Sequence, residues 1–206
     1  TFAFAQSEIT QVHAEDASGN VTAANAESTA NAESTNSTGD EAKRVTFVPG
    51  VKPQDVRPHI EYLASDDLRG RSGAWAQAAA RYVEDHFRKL KLQPLFNGEY
   101  LQVIPGPTQD DGRKTVYGQN VGAWLPGSDP SLRDEFVVVS AHYDHLGMRE
   151  GKIFPGADDN ASGTSMVLEV ARKFAALEKR PARSIVFLAF DLEEHMLWGS
   201  RWFASH

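Results

Sequence analysis

Two strongly apolar segments with an amphipathic helix between them constrain the fold of this chain more than any other feature. The segments are "EFVVVSA", residues 135–141, and "SIVFLAF", residues 184–190. Between them, apolar residues from Met166 to Leu177 recur at helical spacing. A strand–helix–strand unit joins parallel strands through a right-handed crossover. We therefore predict an α/β fold, a mostly parallel central sheet flanked by helices, whose apolar strands are covered on both faces.

The first 44 residues differ from the rest in composition. The opening "TFAFAQSE" resembles the end of a secretory signal, with Ala3-Phe4-Ala5 as the cleavage site; a chance apolar start is the alternative. We interpret residues 1–5 as the remnant of a signal peptide and expect a secreted or periplasmic protein. Residues 6–44 are rich in Ala, Ser, Thr, Asn and Glu, so we predict a disordered low-complexity segment. Residues 45–206 then form the folded domain.

Charge and composition exclude several classes of function. The 206 residues carry a net charge of -7, which disfavours nucleic-acid partners. No apolar run approaches the roughly 18 to 20 residues of a membrane span. The chain has no cysteine, so any metal must be held by His, Asp and Glu. The sequence does not indicate an oligomeric state.

The segment ahead of the apolar strands predicts two helices and a further strand. Val56, Ile60 and Leu63 form one apolar stripe, and a second stripe runs from Ala79 to Leu90. The polar segment "DDLRGRSG", residues 66–73, connects the two helices as a loop, and we assign it no chemistry. "NVGAWL", residues 120–125, is the further strand.

Three polar clusters follow or precede these elements where a ligand site is expected. In open α/β sheets, ligands bind beyond the carboxyl ends of the strands. Taken singly, the clusters have ordinary explanations as a strand end, a turn and a solvated loop. Together, without thiols, they form a nitrogen and oxygen ligand set that suits zinc, with manganese or cobalt as substitutes. The candidate residues are His142 and Asp144 in "HYDHLG", Asp159 in "GADDNASG", and Glu193 and Glu194 in "FDLEEH".

Spacing within the clusters suggests separate tasks for neighbouring residues. Side chains alternate along a strand, so His142 and Asp144 point to the same side if strand geometry continues that far. A His beside an Asp suits a metal ligand with a carboxylate neighbour, bonded either directly or through other groups. Glu193 and Glu194 are consecutive and point in different directions. One of them can bind a metal while the other acts as a general base.

The motifs "HYDHLG", "GADDNASG" and "EEHMLWGS" resemble those of the co-catalytic zinc aminopeptidases, metallopeptidase family twenty-eight. This family includes bacterial leucyl aminopeptidase and yeast aminopeptidase Y. The likeness extends over Val51 to His206 and includes "IEYLASDDLRGR". It implies a zinc-exopeptidase fold of the phosphorylase/hydrolase-like type, incomplete at the C-terminus. Residues 45–206 would be the N-terminal part of this peptidase domain.

The resemblance also implies a role for each candidate residue. His142 would bind one zinc ion, with Asp144 as its carboxylate partner outside the coordination sphere. Asp159 would bridge two zinc ions, and Glu194 would bind the second ion. Glu193 would be the general base in the attack of metal-bound hydroxide on a peptide substrate. The implied function is a zinc-dependent aminopeptidase that releases N-terminal residues.

The chain departs from the family pattern at two points. Met196 occupies a position that is usually Gly, which puts the shape of that loop in question. The family completes its two metal sites with a downstream Asp and His, and neither position is present. We expect His145 in the outer shell, His195 pointing away, and His206 too near to replace the missing His. On this basis the chain alone should hold zinc poorly and be inactive.

Two alternatives stay open. One is a peptidase-like binding module that has lost its metals, although Glu193 and every testable ligand are present. The other lies within the same fold: a glutaminyl cyclase with one zinc, or a carboxypeptidase that removes acidic residues.

Overall fold

The computed structural model describes residues 50–206. The predicted signal remnant and the predicted disordered segment lie outside the described residues and stay predictions. No helix in the described part is long and apolar enough to cross a membrane. The helices are α1 (Pro53–Leu63), α2 (Ala74–Lys89), α3 (Ser162–Ala175) and α4 (Trp198–Ser205), with a 3-10 turn at Asp66–Leu68. The strands are β1 (Gln93–Pro94), β2 (Leu101–Thr108), β3 (Lys114–Leu125), β4 (Phe136–His142), β5 (Met148–Arg149), β6 (Lys152–Ile153) and β7 (Ser184–Phe190).

Five of the strands form one sheet around the long strand β3. Strands β1 and β2 lie end to end along one edge of β3, both antiparallel to it. Strand β7 pairs antiparallel with the other edge of β3. Strand β4 pairs in parallel with β7 and forms the far edge of the sheet, while β5 and β6 form a separate small hairpin.

The α/β class with flanking helices is confirmed, but the sheet is mixed rather than mostly parallel. Only β4 and β7, the strands that α3 connects, run in parallel among the described strands. The segment between β2 and β3 has only residues 109–113, and so short a connection joins antiparallel neighbours. The prediction of a mostly parallel sheet generalised from the one strand–helix–strand unit that the sequence reveals.

Strand β4 also differs from its prediction. Its apolar run indicated a strand covered on both faces, yet Val137 and Val138 are 49% and 54% exposed. The reason is its position at the edge of the sheet, because within residues 50–206 only β7 pairs with it. Strand β7 is the covered strand, with buried side chains from Ser184 to Ala189.

The alternation of side chains along β7 separates two apolar layers. Ile185, Phe187 and Ala189 belong to the main core beneath α2 and α3. The next residue, Phe190, points to the other face and packs against Phe203 of α4, with the ring centroids 5.8 Å apart and the ring planes tilted by 58°. The sheet is therefore covered by helices on both faces. The carboxyl-terminal ends of β4 and β7 lie side by side between these two helical layers.

The predicted stripes of the first two helices are confirmed. Leu63 at the end of α1, and Val83 and Phe87 of α2, are fully buried. In α3 the buried face is displaced from the predicted one. Leu168 is buried whereas Met166 is 43% exposed.

A buried polar network joins α1, α2 and α3 behind this core. The imidazole of His59 lies between the Tyr82 hydroxyl at 2.8 Å and the Glu169 carboxylate at 3.2 Å. Arg172 donates two hydrogen bonds to Glu169 Oε2, at 2.8 and 2.6 Å. Burial alone would raise the pKa of Glu169, but the hydrogen bonds from Arg172 and His59 lower it below its ordinary value.

We predict that Glu169→Gln lowers the free energy of unfolding at pH 7 by about 2 kcal/mol, because charge-assisted hydrogen bonds contribute about that much. A depressed carboxyl pKa stabilises the fold above the unfolded-state pKa, and this contribution is lost on acidification. The difference between variant and native chain should therefore shrink as the pH falls below about 4.3. Urea unfolding at pH 7 and at pH 3 measures it.

Glu84→Gln is the matched control, because Glu84 pairs with the half-exposed Arg88 on the surface of α2. It should cost less than about 1 kcal/mol at either pH. Equal losses in the two variants, or a loss in Glu169→Gln that ignores pH, would contradict this account of the network.

Candidate metal centre

The parallel pairing of β4 and β7 brings the first and third clusters to one edge of the sheet. His142 is the last residue of β4 and lies in register with Phe190, the last residue of β7. Glu193 and Glu194 follow Phe190 within four residues. The second cluster is brought alongside by α3, whose amino-terminal side begins in a distorted helical turn at Ala157–Ala161.

Asp159 lies at the centre of the site, facing two histidines with its two oxygens. Its Oδ1 is 3.2 Å from His142 Nε2, and its Oδ2 is 3.7 Å from His145 Nδ1. Two ligands of one tetrahedral zinc, each at about 2.0–2.1 Å, lie about 3.3 Å apart. The geometry of Asp159 therefore suits a carboxylate shared between two metal positions, one on the side of each histidine.

Glu194 joins His145 and Asp159 in a cluster of three possible metal ligands. Glu194 Oε1 is 2.7 Å from His145 Nδ1, and ligand atoms of His145, Asp159 and Glu194 all lie within 4.8 Å of one another. The expectation that His145 lies in the outer shell stays a prediction, because its ring is hydrogen-bonded directly to Glu194, a candidate ligand. Strand alternation cannot place His145, because β4 ends at His142 and the chain then turns.

Asp144 positions the two glutamates as well as the histidine. Its Oδ1 accepts the backbone N–H of Glu193 at 3.0 Å, and its Oδ2 accepts that of Glu194 at 3.2 Å. Oδ1 also lies 3.5 Å from His142 Nδ1, and the Asp144 carbonyl is 3.2 Å from the same nitrogen. One buried carboxylate thus connects the end of β4 to the loop after β7. The sequence predicted a neighbour for His142 but gave no sign of the contacts to the glutamates.

Glu193 lies at the open side of the site. Its Oε2 is 3.8 Å from His142 Nε2, and its side chain is 36% exposed. No other predicted site residue except Asp159 is as accessible to solvent. Glu193 can therefore reach a water molecule or a substrate that approaches the position beside His142.

The electrostatics of the site are dominated by carboxylates. Burial alone would lower the pKa of His142, but the hydrogen bond and charge of Asp144, with Glu193 and Asp159 nearby, raise it. Beneath the site, burial raises the pKa of Asp191 to about 6. The Asp191 carboxylate accepts the N–H groups of Gln119 and Leu192, which ties the centre of the sheet to the end of β7. An excess of negative charge around imidazole nitrogens favours a bound cation.

The donor set fits zinc. It consists of imidazole nitrogens and carboxylate oxygens, the ligands that zinc takes in proteins without thiolates. The His142–Asp159 separation of 3.2 Å matches two ligands of one ion. His142 and Asp159 could hold an ion between them, and so could the group of His145, Asp159 and Glu194.

Comparison with known proteins agrees with this geometry. Residues 120–206 match Peptidase family M28. Over 115 residues the chain is 45% identical to a "Probable zinc metalloprotease" of Pyricularia oryzae. This alignment covers 52% of this chain and 22% of that protein. Over 164 residues it is 26% identical to "Leucine aminopeptidase 1" of Leptosphaeria maculans. This second alignment covers 76% of this chain and 39% of that protein.

The fold is shared with a solved zinc aminopeptidase. The structure of BSAP from Bacillus subtilis superposes with a TM-score of 0.56 at 17% identity, over 78% of this chain and 66% of that one. The mixed sheet with flanking helices is the fold that this zinc aminopeptidase has. Residues 120–206 thus match the model of Peptidase family M28, the family that the sequence motifs resemble. It spans less than two fifths of the length of the two relatives named above.

Met196, which occupies a position that is usually Gly in the family that the motifs resemble, has a backbone conformation typical of glycine. Met196 has a φ of 60°, in the left-handed region that favours glycine, and its side chain is 80% exposed. The loop after Glu194 therefore has the backbone conformation that a glycine would adopt freely. A long side chain is tolerated there because it extends into solvent.

We predict that Gly156→Ala destabilises the fold and opens the site. Gly156 has a φ of +58°, and an added Cβ would collide with the Asp159 carbonyl oxygen and with the His145 ring. The control is Gly151→Ala, where φ is +75° and the added Cβ meets nothing within 4 Å. Both variants suffer backbone strain, but only Gly156→Ala adds a steric clash. Its free energy of unfolding should be lower than that of the control by about 1–3 kcal/mol.

Urea unfolding of the two variants measures this difference. Equal stability of Gly156→Ala and Gly151→Ala would mean that the loop carrying Asp159 does not pack against His145 as described.

Proposed function

We propose that this chain forms part of a zinc-dependent exopeptidase, an aminopeptidase that hydrolyses N-terminal residues from peptides. The observation that carries the proposal is the position of Asp159, whose two oxygens face two different histidines. An arrangement of this kind suits two zinc ions that share one carboxylate. The names of the two relatives, a zinc metalloprotease and a leucine aminopeptidase, support a peptide substrate. From the Ala3-Phe4-Ala5 motif alone, we further propose that the protein is secreted or periplasmic.

Each side chain has a task in this reaction. Zinc held here would lower the pKa of a water molecule and stabilise negative charge on the carbonyl oxygen of the scissile bond. Glu193, beside His142 and open to solvent, accepts a proton from the attacking water. As the carbon–nitrogen bond breaks, the protonated Glu193 returns that proton to the leaving amine. Asp144 keeps Glu193 in place through the backbone N–H that it accepts.

The same geometry favours the two-metal enzyme over its alternatives. A cyclase-like site with one zinc would not need a second cluster of ligand atoms, yet His145 and Glu194 lie beside Asp159. A binding module without metals would have no use for a glutamate placed 3.8 Å from a ligand nitrogen. Closely spaced carboxylates without a function would also lower stability, because they repel one another and Asp144 is buried.

We predict that Glu193→Gln abolishes turnover and leaves zinc bound. The amide preserves the size of the side chain but cannot accept the proton, and loss of a general base lowers the rate by about 10²–10⁴-fold. The measurement is the initial rate of leucine p-nitroanilide hydrolysis by the protein with its native flanking sequence, with zinc per chain determined on the same samples.

Glu178→Gln, in the exposed segment after α3, is the control and should leave the rate unchanged. Turnover by Glu193→Gln within threefold of the native rate would reject Glu193 as the base. An inactive native protein that binds zinc would reject the aminopeptidase and leave the metal site standing.

A further inference from the structure

Arg71 is the largest fully buried side chain of the described residues, and the function proposed above does not use it. It lies in the "DDLRGRSG" segment between α1 and α2, to which the sequence assigned no chemistry. The segment was predicted to be a polar loop. In the structure Arg71 and Gly70 are instead enclosed between the two loops that carry the metal-site residues.

The guanidinium donates to five backbone carbonyls from three parts of the chain. Three contacts go to the loop ahead of α3: Nη1 to Pro155 O at 2.6 Å, and Nη2 to Gly156 O at 2.8 Å and Asp159 O at 3.5 Å. Nε donates to Tyr143 O at 2.7 Å, and Nη1 also donates to Leu63 O at 2.6 Å. All its hydrogen-bond partners are neutral, which is unusual for a buried arginine.

These carbonyls belong to the backbone that holds the candidate ligands. Tyr143 lies between His142 and Asp144, while Gly156 and Asp159 form the opposite loop. A planar guanidinium has five N–H donors in fixed directions, so it sets the distance between the groups that it joins. Arg71 therefore spans the gap between the two histidines on one side and Asp159 on the other.

The backbone of the same segment holds the histidine loop a second time. Arg71 O accepts the N–H of His145 at 3.1 Å, and Gly70 O accepts that of Gly147 at 3.0 Å. Gly70 has a φ of +73°, and an added Cβ would lie 2.5 Å from Gly147 O. This close approach of two backbones requires glycine.

The charge of Arg71 adds to the effect of its hydrogen bonds. Burial lowers the pKa of Arg71 to about 10, against the opposing influence of Asp144 and Asp159, so the group is protonated at neutral pH. A buried cation next to a cluster of carboxylates reduces the repulsion among them before any metal binds.

We propose that Arg71 is a positioning residue of the metal centre: its guanidinium fixes the spacing between the His142–His145 loop and the Asp159 loop, and so sets the affinity of the site for zinc. The inference rests on the proposed zinc site. Groups that orient metal ligands from outside the coordination sphere change metal affinity by about 10–100-fold when they are replaced.

The test compares Arg71→Lys with Arg69→Lys in the protein with its native flanking sequence. Lysine keeps the charge but loses the fork of donors. Arg69 is two residues away and exposed, with its guanidinium over the ring of Trp75 at 5.2 Å. The dissociation constant for zinc is measured by competition with a chromophoric chelator. It should rise about 10–100-fold in Arg71→Lys and stay within twofold in Arg69→Lys.

A spectroscopic measurement separates positioning from a general loss of stability. The visible absorption bands of bound Co²⁺ report the geometry of its ligands. In Arg71→Lys, at a temperature where circular dichroism shows the fold intact, these bands should shift or weaken, whereas those of Arg69→Lys should match the native spectrum.

Hydrogen exchange on the native protein decides the matter if Arg71→Lys does not fold. Coupling between two sites is reciprocal, so zinc should stabilise the segment that positions its ligands. Exchange of the Leu68, Arg69 and Arg71 amides, whose acceptors all lie within residues 65–68, should slow on zinc addition. Unchanged exchange there would overturn the inference.

The remaining outcomes are separable. Native affinity and a native cobalt spectrum in Arg71→Lys would overturn the role of Arg71 and leave the zinc site intact. No zinc binding by the native protein would refute the proposed function, and this inference with it.

Discussion

The parallel register between β4 and β7 is the constraint on which the rest of the site depends. It places His142 opposite Phe190, so both strands end side by side. The polar residues that follow each strand therefore lie close together. The helix that makes this parallel pairing possible, α3, starts beside that edge and carries Asp159 with it. A shift of one residue in this register would move every side chain of β4 to the opposite face and separate the histidine from both glutamates.

Register alone does not bring ligand atoms to within 4 Å of one another; buried hydrogen bonds do that. Asp144 draws the loop after β7 toward β4 by accepting two backbone N–H groups. Arg71 joins the backbone around Tyr143 to the loop of Gly156 and Asp159. One anchor is an acceptor and the other is a donor, and both act on main chain, although Asp144 also lies 3.5 Å from the ring of His142. The side chains that would contact zinc thereby stay free for it, while their backbone is held in place.

The sequence predicted those parts of the fold that depend on local pattern. Strand β7 occupies residues 184–190 as expected, because an uninterrupted apolar run after a proline defines both its length and its burial. The sheet order was not predictable in this way. The antiparallel pairing of β3 with β7 joins segments about 60 residues apart, and nothing in either segment specifies the direction of the other. Likewise the exposure of β4 follows from its place at the sheet edge, which composition does not reveal.

The candidate site shows the same division. Residues whose chemistry is apparent from their type, such as Asp159 and Glu193, were identified from the motifs, and the structure places them together. His145 lies beyond the end of β4, where the alternation rule no longer applies. The position of Arg71 could not be predicted, because its partners are backbone carbonyls, which the sequence does not display. Residues that act through the backbone of others have no local signature, so they emerge only when distant segments are brought together.

The most direct test of the account is the number of zinc ions per chain, measured by native mass spectrometry in the protein with its native flanking sequence, with and without Asp159. The account predicts two ions in the native protein and in Asp158→Ala, whose exposed carboxylate is adjacent in sequence. It predicts none in Asp159→Ala, because both positions would lose the shared ligand. Retention of two ions by Asp159→Ala would contradict the claim that this carboxylate bridges them.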